Sequence, residues 1–203
     1  QQMKKTEKPT PGKKAKIADW KKDTEFLNKV KAWSDQNGVP MKNILAVMLH
    51  ETAGSMDPAE KNEIGCVGLI QFCPGDKAGQ ALVGKTGDQL AAMTRAEQWD
   101  YVKKFLEKNN KWKSNPTSLS TLYLSIFLPA FAHLPNEAIL ATKTGTGVHS
   151  GVRVSKKFIK QVWEQNPANR DKTKPGEPIT KAGIARNLAQ RWRNDLDIED
   201  LAY

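Results

Sequence analysis

The chain has 203 residues, 38% apolar and 27% charged, with six tryptophans and a formal net charge of +10. That length suits one well-buried domain with decorations, and no apolar run approaches the roughly 20 residues of a membrane span. Residues 1–16 hold half of the excess charge, six lysines against one glutamate, so the remainder has a modest bias that favours anionic surfaces at low salt without choosing between cell wall and nucleic acid.

Residues 1–16, rich in Lys, Thr, Pro and Gly, are expected to form a flexible basic arm or linker, with one domain spanning residues 17–203. Asp19 is expected to cap a first helix with Phe26, Leu27, Val30 and Trp33 on its apolar face and an end near Asn37-Gly38. Pro40 opens the second helix, in which Ile44, Val47 and Met48 form a stripe whose next member is Glu51. A carboxylate on that stripe points to the core or to the lip of a cleft. Gly54 suits the left-handed residue that closes a helix, which puts Glu51 in the last turn, where a ligand can approach. Partial desolvation and the negative helix end both raise its pKa there. A glutamic acid still protonated near neutral pH is what a general acid requires. The plainer alternative is a glutamate hydrogen-bonded at a helix end.

Residues 55–87 are punctuated by Gly, Asp and Pro and read as loop and short strand. Within them, Gly65-Cys66-Val67-Gly68-Leu69-Ile70-Gln71-Phe72 sets two glycines three apart in front of an apolar run with one amide. Such glycines let a backbone turn tightly near a ligand, and Gln71 offers both a donor and an acceptor. Cys66 and Cys73 bracket this segment; a bond between them is feasible if the chain bends back, but two small buried thiols are the expected outcome. Asp88 is expected to cap a short helix, Thr94-Arg95-Ala96-Glu97 to form a capping box, and Trp99, Val102, Phe105 and Leu106 to share one face. Pro116 is expected to open a central buried helix with Leu119, Leu122, Tyr123, Ile126 and Phe127, interrupted at Pro129. Residues 142–154 read as a loop or hairpin, Phe158 to Trp163 as helix, and 166–178 as a polar connection. A last helix after Thr180 uses Ile184, Leu188 and Trp192.

His50-Glu51-Thr52-Ala53-Gly54, then Asn62, then Gly65 to Phe72 resembles the catalytic glutamate and the following Gly-Leu-Ile-Gln-Phe motif of the soluble lytic transglycosylase-like, goose-lysozyme-like family. The similarity continues in Gln89 to Met93, Glu97 to Val102 and Leu122 to Pro129, and it covers residues 40–135 best. Among such proteins the succession is most similar to cell-wall-degrading domains of phage tails and virions. The resemblance implies a mainly α (α+β), lysozyme-like fold with a small β-rich lobe and additional C-terminal helices. It implies a cofactor-free lytic transglycosylase that cuts the MurNAc-GlcNAc β-1,4 bond with Glu51 alone, acting at the cell wall from a virion or in the extracellular or periplasmic space. Gln71, Gly68, Leu69, Tyr123 and Asn62 would then hold the glycan strand, and other tail proteins would be further partners. The sequence departs from the family at Cys66, where relatives carry a small residue such as alanine, and at Leu122 to Ser125, which replaces an Ala-Tyr-Asn-type motif.

Three other readings compete. A muramidase would hydrolyse the same bond and needs a second carboxylate, for which Asp57, Glu60 and Glu63 are nearest. A structural tail module would bind the wall without turnover. A basic nucleic-acid-binding domain is not expected, since no recognition-helix or RNP-type signature is present. No metal is expected: Gly54 stands where a zinc-binding His-Glu-x-x-His helix needs its second histidine, and Asn166, Asn169, Asp171 and Glu177 lack calcium-loop spacing.

Overall fold

The computed structural model describes residues 17–196; the expected basic arm over residues 1–16 lies outside the described residues, as do residues 197–203. The first helix, α1 (Thr24–Asn37), is capped by Asp23, whose Oδ1 accepts from the Phe26 N–H at 3.2 Å, and it closes at Gly38 with φ +66°. Asp19 instead caps a 3-10 turn over Trp20–Lys22. The cap moves to Asp23 because that carboxylate is also buried against Arg95, whose Nη1 lies 2.8 Å from its Oδ2. Two tasks on one side chain fix where the helix starts.

The second helix, α2 (Met41–Glu51), has every residue from Asn43 to Leu49 buried. It is thus enclosed on all sides rather than along one stripe. After α2 the chain runs as loop to α3 (Gly79–Val83) and α4 (Gly87–Ala91). Thr86, not Asp88, caps α4: its hydroxyl takes the Gln89 N–H, and the Gln89 side chain returns the bond to the Thr86 N–H. Asp88 occupies the first turn, where its charge still suits the helix N-terminus. Thr94 caps α5 (Arg95–Lys108) by accepting from the Glu97 N–H at 3.2 Å, while its hydroxyl donates to the Glu97 carboxylate at 3.0 Å. The central helix, α6 (Leu119–Phe127), starts later than Pro116 predicts, because Ser118 offers an acceptor to the Thr121 N–H that the proline ring cannot.

The strands are not where the sequence suggests. Residues 55–78 contain only isolated bridges, Lys61 with Val67 and Val67 with Phe72. The sheet of the described residues is one antiparallel pair, β1 (Ile139–Ala141) with β2 (Ile179–Thr180). Between them lie the expected loop and α7 (Lys156–Gln165), and after them comes α8 (Lys181–Leu196) with Ile184, Leu188 and Trp192 buried. The molecule is therefore mainly helical with a minimal sheet.

Helix α2 packs against α8, α6 and α1, and α5 packs against α1. In that second contact Trp99 stands edge-on to Phe26 at 6.3 Å and to Trp33 at 5.7 Å, arrangements that add to the burial of each ring. Among the described residues no helix is long and apolar enough to cross a membrane.

Candidate functional site

The end of α2 builds the site. Thr52 folds its hydroxyl back onto the Met48 carbonyl at 2.7 Å and accepts from the Met56 N–H at 2.9 Å. The Gly54 N–H reaches the Leu49 carbonyl at 2.8 Å, with φ +50° at Ala53 and +91° at Gly54. A side chain at position 54 would also press on the Trp192 ring of α8, about 3.0 Å from the Cβ it would add. The helix is thus stopped sharply against α8, and Glu51 is left in its last turn facing a cavity of about 820 Å³. As a residue Glu51 is half-buried, but enough protein surrounds its carboxyl that burial raises its pKa from an ordinary value near 4.5 to about 8.

Three of the residues that the resemblance assigns to the glycan, Asn62, Gln71 and Tyr123, line this cavity with Glu51, whereas Gly68 and Leu69 do not. Both of the latter are buried beneath it. Gly68 holds φ +86°, its N–H donates to the Glu60 carbonyl at 2.8 Å, and a Cβ there would collide with the Gln98 amide. The Leu69 N–H donates to Gln98 Oε1 at 2.7 Å, and Gln98 Nε2 donates to the carbonyls of Pro58 and Leu90. One fully buried amide therefore ties the loop to α5. Gly68 and Leu69 shape the loop, and the position that organises it, Gln98, lies in the Glu97 to Val102 stretch that carries part of the family resemblance, although nothing local assigns it this task.

The lining residues have part of their capacity committed. Gln71, at φ +54°, spends its Nε2 on the carbonyls of Glu60 and Gly68, so the group it has left for a ligand is its Oε1. Asn62 Oδ1 accepts from the N–H groups of Ile64 and Cys66 at 3.1 and 2.9 Å, so its own amide protons are what it offers. That turn holds Ile64 at the cavity rim, 73% exposed. Cys66 and Cys73, expected as free thiols, form a disulfide on the same wall. The bridges from Val67 to Lys61 and to Phe72 fold the segment back, which brings the two Cα atoms within 3.9 Å and makes the bond possible.

The opposite wall comes from α6 and from residues 165–169. Tyr123 is buried, stacks on Phe127 at 5.3 Å and meets the His50 ring edge-on at 5.4 Å. Its hydroxyl accepts from Asn169 Nδ2 at 3.0 Å, and Asn169 Oδ1 lies 3.1 Å from His50 Nε2. Burial first, and the Glu51 charge second, raise the Tyr123 pKa above its ordinary value near 10, so it stands as a neutral phenol. Burial and then the Arg191 guanidinium lower the His50 pKa to about 4, so the imidazole is neutral at physiological pH. Asn169, in a polar, proline-bearing connection with no periodicity, is a lining residue that the sequence offers only as a rejected calcium ligand.

Of the other carboxylates near the motif, Asp57 and Glu60 lie off the cavity, committed to the Ala59 N–H at 2.8 Å and the Ser55 hydroxyl at 2.9 Å. Glu63, exposed, lines it with Glu51. Neither a family model, nor a curated protein, nor a solved structure matches the chain. The chemistry must therefore be read from the lining itself. It comprises two glutamates, one neutral imidazole, a neutral phenol and five carboxamides, Asn62, Gln71, Gln165, Asn166 and Asn169, with apolar patches at Ile64, Ile70, Ile126 and Phe127. It includes no lysine or arginine among the described residues. Such a surface suits a neutral, hydroxyl- and amide-bearing ligand and offers it one protonated carboxyl.

Proposed function

We propose that this protein is a lysozyme-like peptidoglycan lytic transglycosylase, a phage virion or tail component that opens the cell wall locally. The observation that carries the reading is Glu51, a carboxyl held at the end of a buried helix, facing a carboxamide-rich cavity, with its pKa raised to about 8. A carboxyl of that kind still holds its proton at neutral pH, when a glycosidic oxygen needs one.

In this mechanism Glu51 gives its proton to the leaving oxygen as the C1–O bond of the muramyl residue breaks. The resulting carboxylate takes the proton of that residue's C6 hydroxyl, whose oxygen attacks C1 and closes a 1,6-anhydro ring. No water enters, and the proton that Glu51 lost is restored. Attack from within the same sugar has a high effective molarity, so no second catalytic carboxylate is needed. In this reading the Gln71 side-chain carbonyl and the amide protons of Asn62, which other bonds leave uncommitted, would hold N-acetyl and hydroxyl groups, and Ile64 would offer the rim an apolar face.

Glu63 favours a second reading, because it shares the cavity with Glu51 and could activate water for a muramidase. Mass spectrometry of sacculi digested by the wild type and by Glu51→Gln separates the possibilities. Anhydromuramyl ends from the wild type alone are the expected result. Reducing ends, heavier by one water, would shift the reading to hydrolysis and implicate Glu63. Sacculus binding with no new ends from either protein would identify a structural tail module, and full activity in a folded Glu51→Gln variant would refute the role given to Glu51.

A further inference from the structure

Four elements meet behind Glu51, and their polar groups form one directional chain. Arg191 on α8 places Nη1 3.5 Å from His50 Nδ1 on α2. A guanidinium only donates, so Nδ1 must be the accepting nitrogen, and a neutral imidazole then carries its proton on Nε2. That N–H donates to Asn169 Oδ1 at 3.1 Å, which orients the amide and turns Nδ2 towards the Tyr123 hydroxyl at 3.0 Å. Asn169 is buried, 2% exposed, so this orientation is enforced rather than averaged by solvent. Because the Tyr123 oxygen already accepts from Asn169, its own proton is left to point elsewhere. The cavity shared with Glu51 is the open side.

We propose that Asn169, set by Arg191 and His50, is a positioning residue that holds the Tyr123 hydroxyl as a hydrogen-bond donor towards Glu51 when that carboxyl ionises. The role in turnover rests on Glu51 being the acid of the proposed cleavage; the hydrogen-bond direction does not. The two groups line one cavity, and the Tyr123 ring stands edge-on, 5.4 Å away, to the ring of His50, the residue that precedes Glu51 on α2. A donor that engages only the carboxylate stabilises the state Glu51 reaches after protonating the leaving group. Acid and base roles of one glutamate are thereby brought closer in energy. A hydroxyl turned the other way, donating to an acceptor at position 169, would present a lone pair to the carboxylate and oppose its ionisation.

The test is the titration of the Glu51 carboxyl, followed by carbon NMR in the ligand-free protein. His50 and Glu63 are the other acid-base groups on the cavity wall, with Arg191 behind His50, and their signals are followed in parallel. Tyr123→Phe is expected to raise the Glu51 midpoint by roughly half to one pH unit, and Asn169→Leu to raise it similarly. In the double variant the second change should add little, since Asn169 acts through the hydroxyl. An unmoved midpoint in folded Asn169→Leu, or full additivity in the double variant, would overturn the proposal. Should Asn169→Leu not fold, Arg191→Gln perturbs the chain from its exposed end. Its effect on the midpoint should be larger when Tyr123 is intact than in the Tyr123→Phe background; an equal effect would mean direct charge interaction alone and would overturn the relay. The measurement needs no substrate, so it can fail while cleavage by Glu51 stands, and can succeed in a protein that does not cleave.

Discussion

At the scale of single residues, burial of the Glu51 carboxyl raises its pKa to about 8, and its placement therefore costs stability in a pH-dependent way. In the unfolded chain it releases its proton near its ordinary value of 4.5, whereas in the folded protein it keeps it to about 8. Between those values the unfolded state binds fewer protons, so stability falls as pH rises through the window and levels off outside it. The slope from this one group is at most about 1.4 kcal/mol per pH unit. Glu51→Gln removes the ionisation while keeping the shape. We therefore expect the variant to gain stability over the wild type from pH 5 to pH 8, by a few kcal/mol at most on this scale, measured as the difference in urea midpoints at the two pH values. Equal midpoint differences at both pH values would show that the carboxyl is solvated in the folded state. Glu51 is legible in the sequence as the one carboxylate that follows the apolar run of α2, although that helix is buried on all sides and not along the expected stripe alone. Asn169 is not legible there, because its importance comes from meeting His50 and Tyr123, 119 and 46 residues away.

At the scale of elements, long periodic segments declared themselves and short ones did not. The stripes through Trp99 to Leu106 and Ile184 to Trp192 lie on α5 and α8 as expected, since burial of a repeating face dictates a helix. Starts of helices were misplaced where two capping residues stand near each other, as with Asp19 and Asp23 or Asp88 and Thr86. Between Asp19 and Asp23 the choice follows from a tertiary partner, Arg95, and between Asp88 and Thr86 from the reciprocal bonds that Thr86 makes with Gln89. Strands β1 and β2 were illegible, because three residues pairing with two have no alternation to read. Residues 61–73 lie in the stretch that reads as loop and short strand, and they are organised by side chains: Gln98 from below, Asn62 within and the Cys66–Cys73 disulfide across them. Their cavity wall should depend on that bond. For a loop this short the chain-entropy argument gives roughly 2.5 kcal/mol. The Cys66→Ala, Cys73→Ala double variant should lose about that much in denaturant unfolding and show faster amide exchange at residues 62–73, with α5 unaffected locally. Unchanged exchange in the loop would mean that Gln98 and Asn62 suffice to hold it.

At the scale of the whole molecule, charge and site are kept apart. The chain carries +10, yet the cavity lining includes no lysine or arginine among the described residues and does include two glutamates. Under the proposed function, attraction to an anionic polymer would come from the exterior, at long range, while contacts inside the cavity would be short-range hydrogen bonds and apolar packing. These two kinds of interaction respond differently to salt, because screening shortens the reach of exterior charge from about 10 Å at 0.1 M to about 3 Å at 1 M and leaves enclosed contacts nearly untouched. Adsorption of the Glu51→Gln variant to sacculi should therefore weaken on the order of tenfold between about 0.05 and 0.5 M salt. Turnover of the wild type at saturating sacculi should change little over the same range. Removing residues 1–16 lowers the net charge to +5, and should flatten the adsorption curve without altering saturated turnover. A pelleting assay across a salt series, run on the full chain and the shortened one, measures both slopes. If adsorption is insensitive to salt, the cavity itself supplies the affinity and the positive charge serves some other contact; if saturated turnover falls in step with adsorption, charged groups must take part at the site, against the composition of its lining.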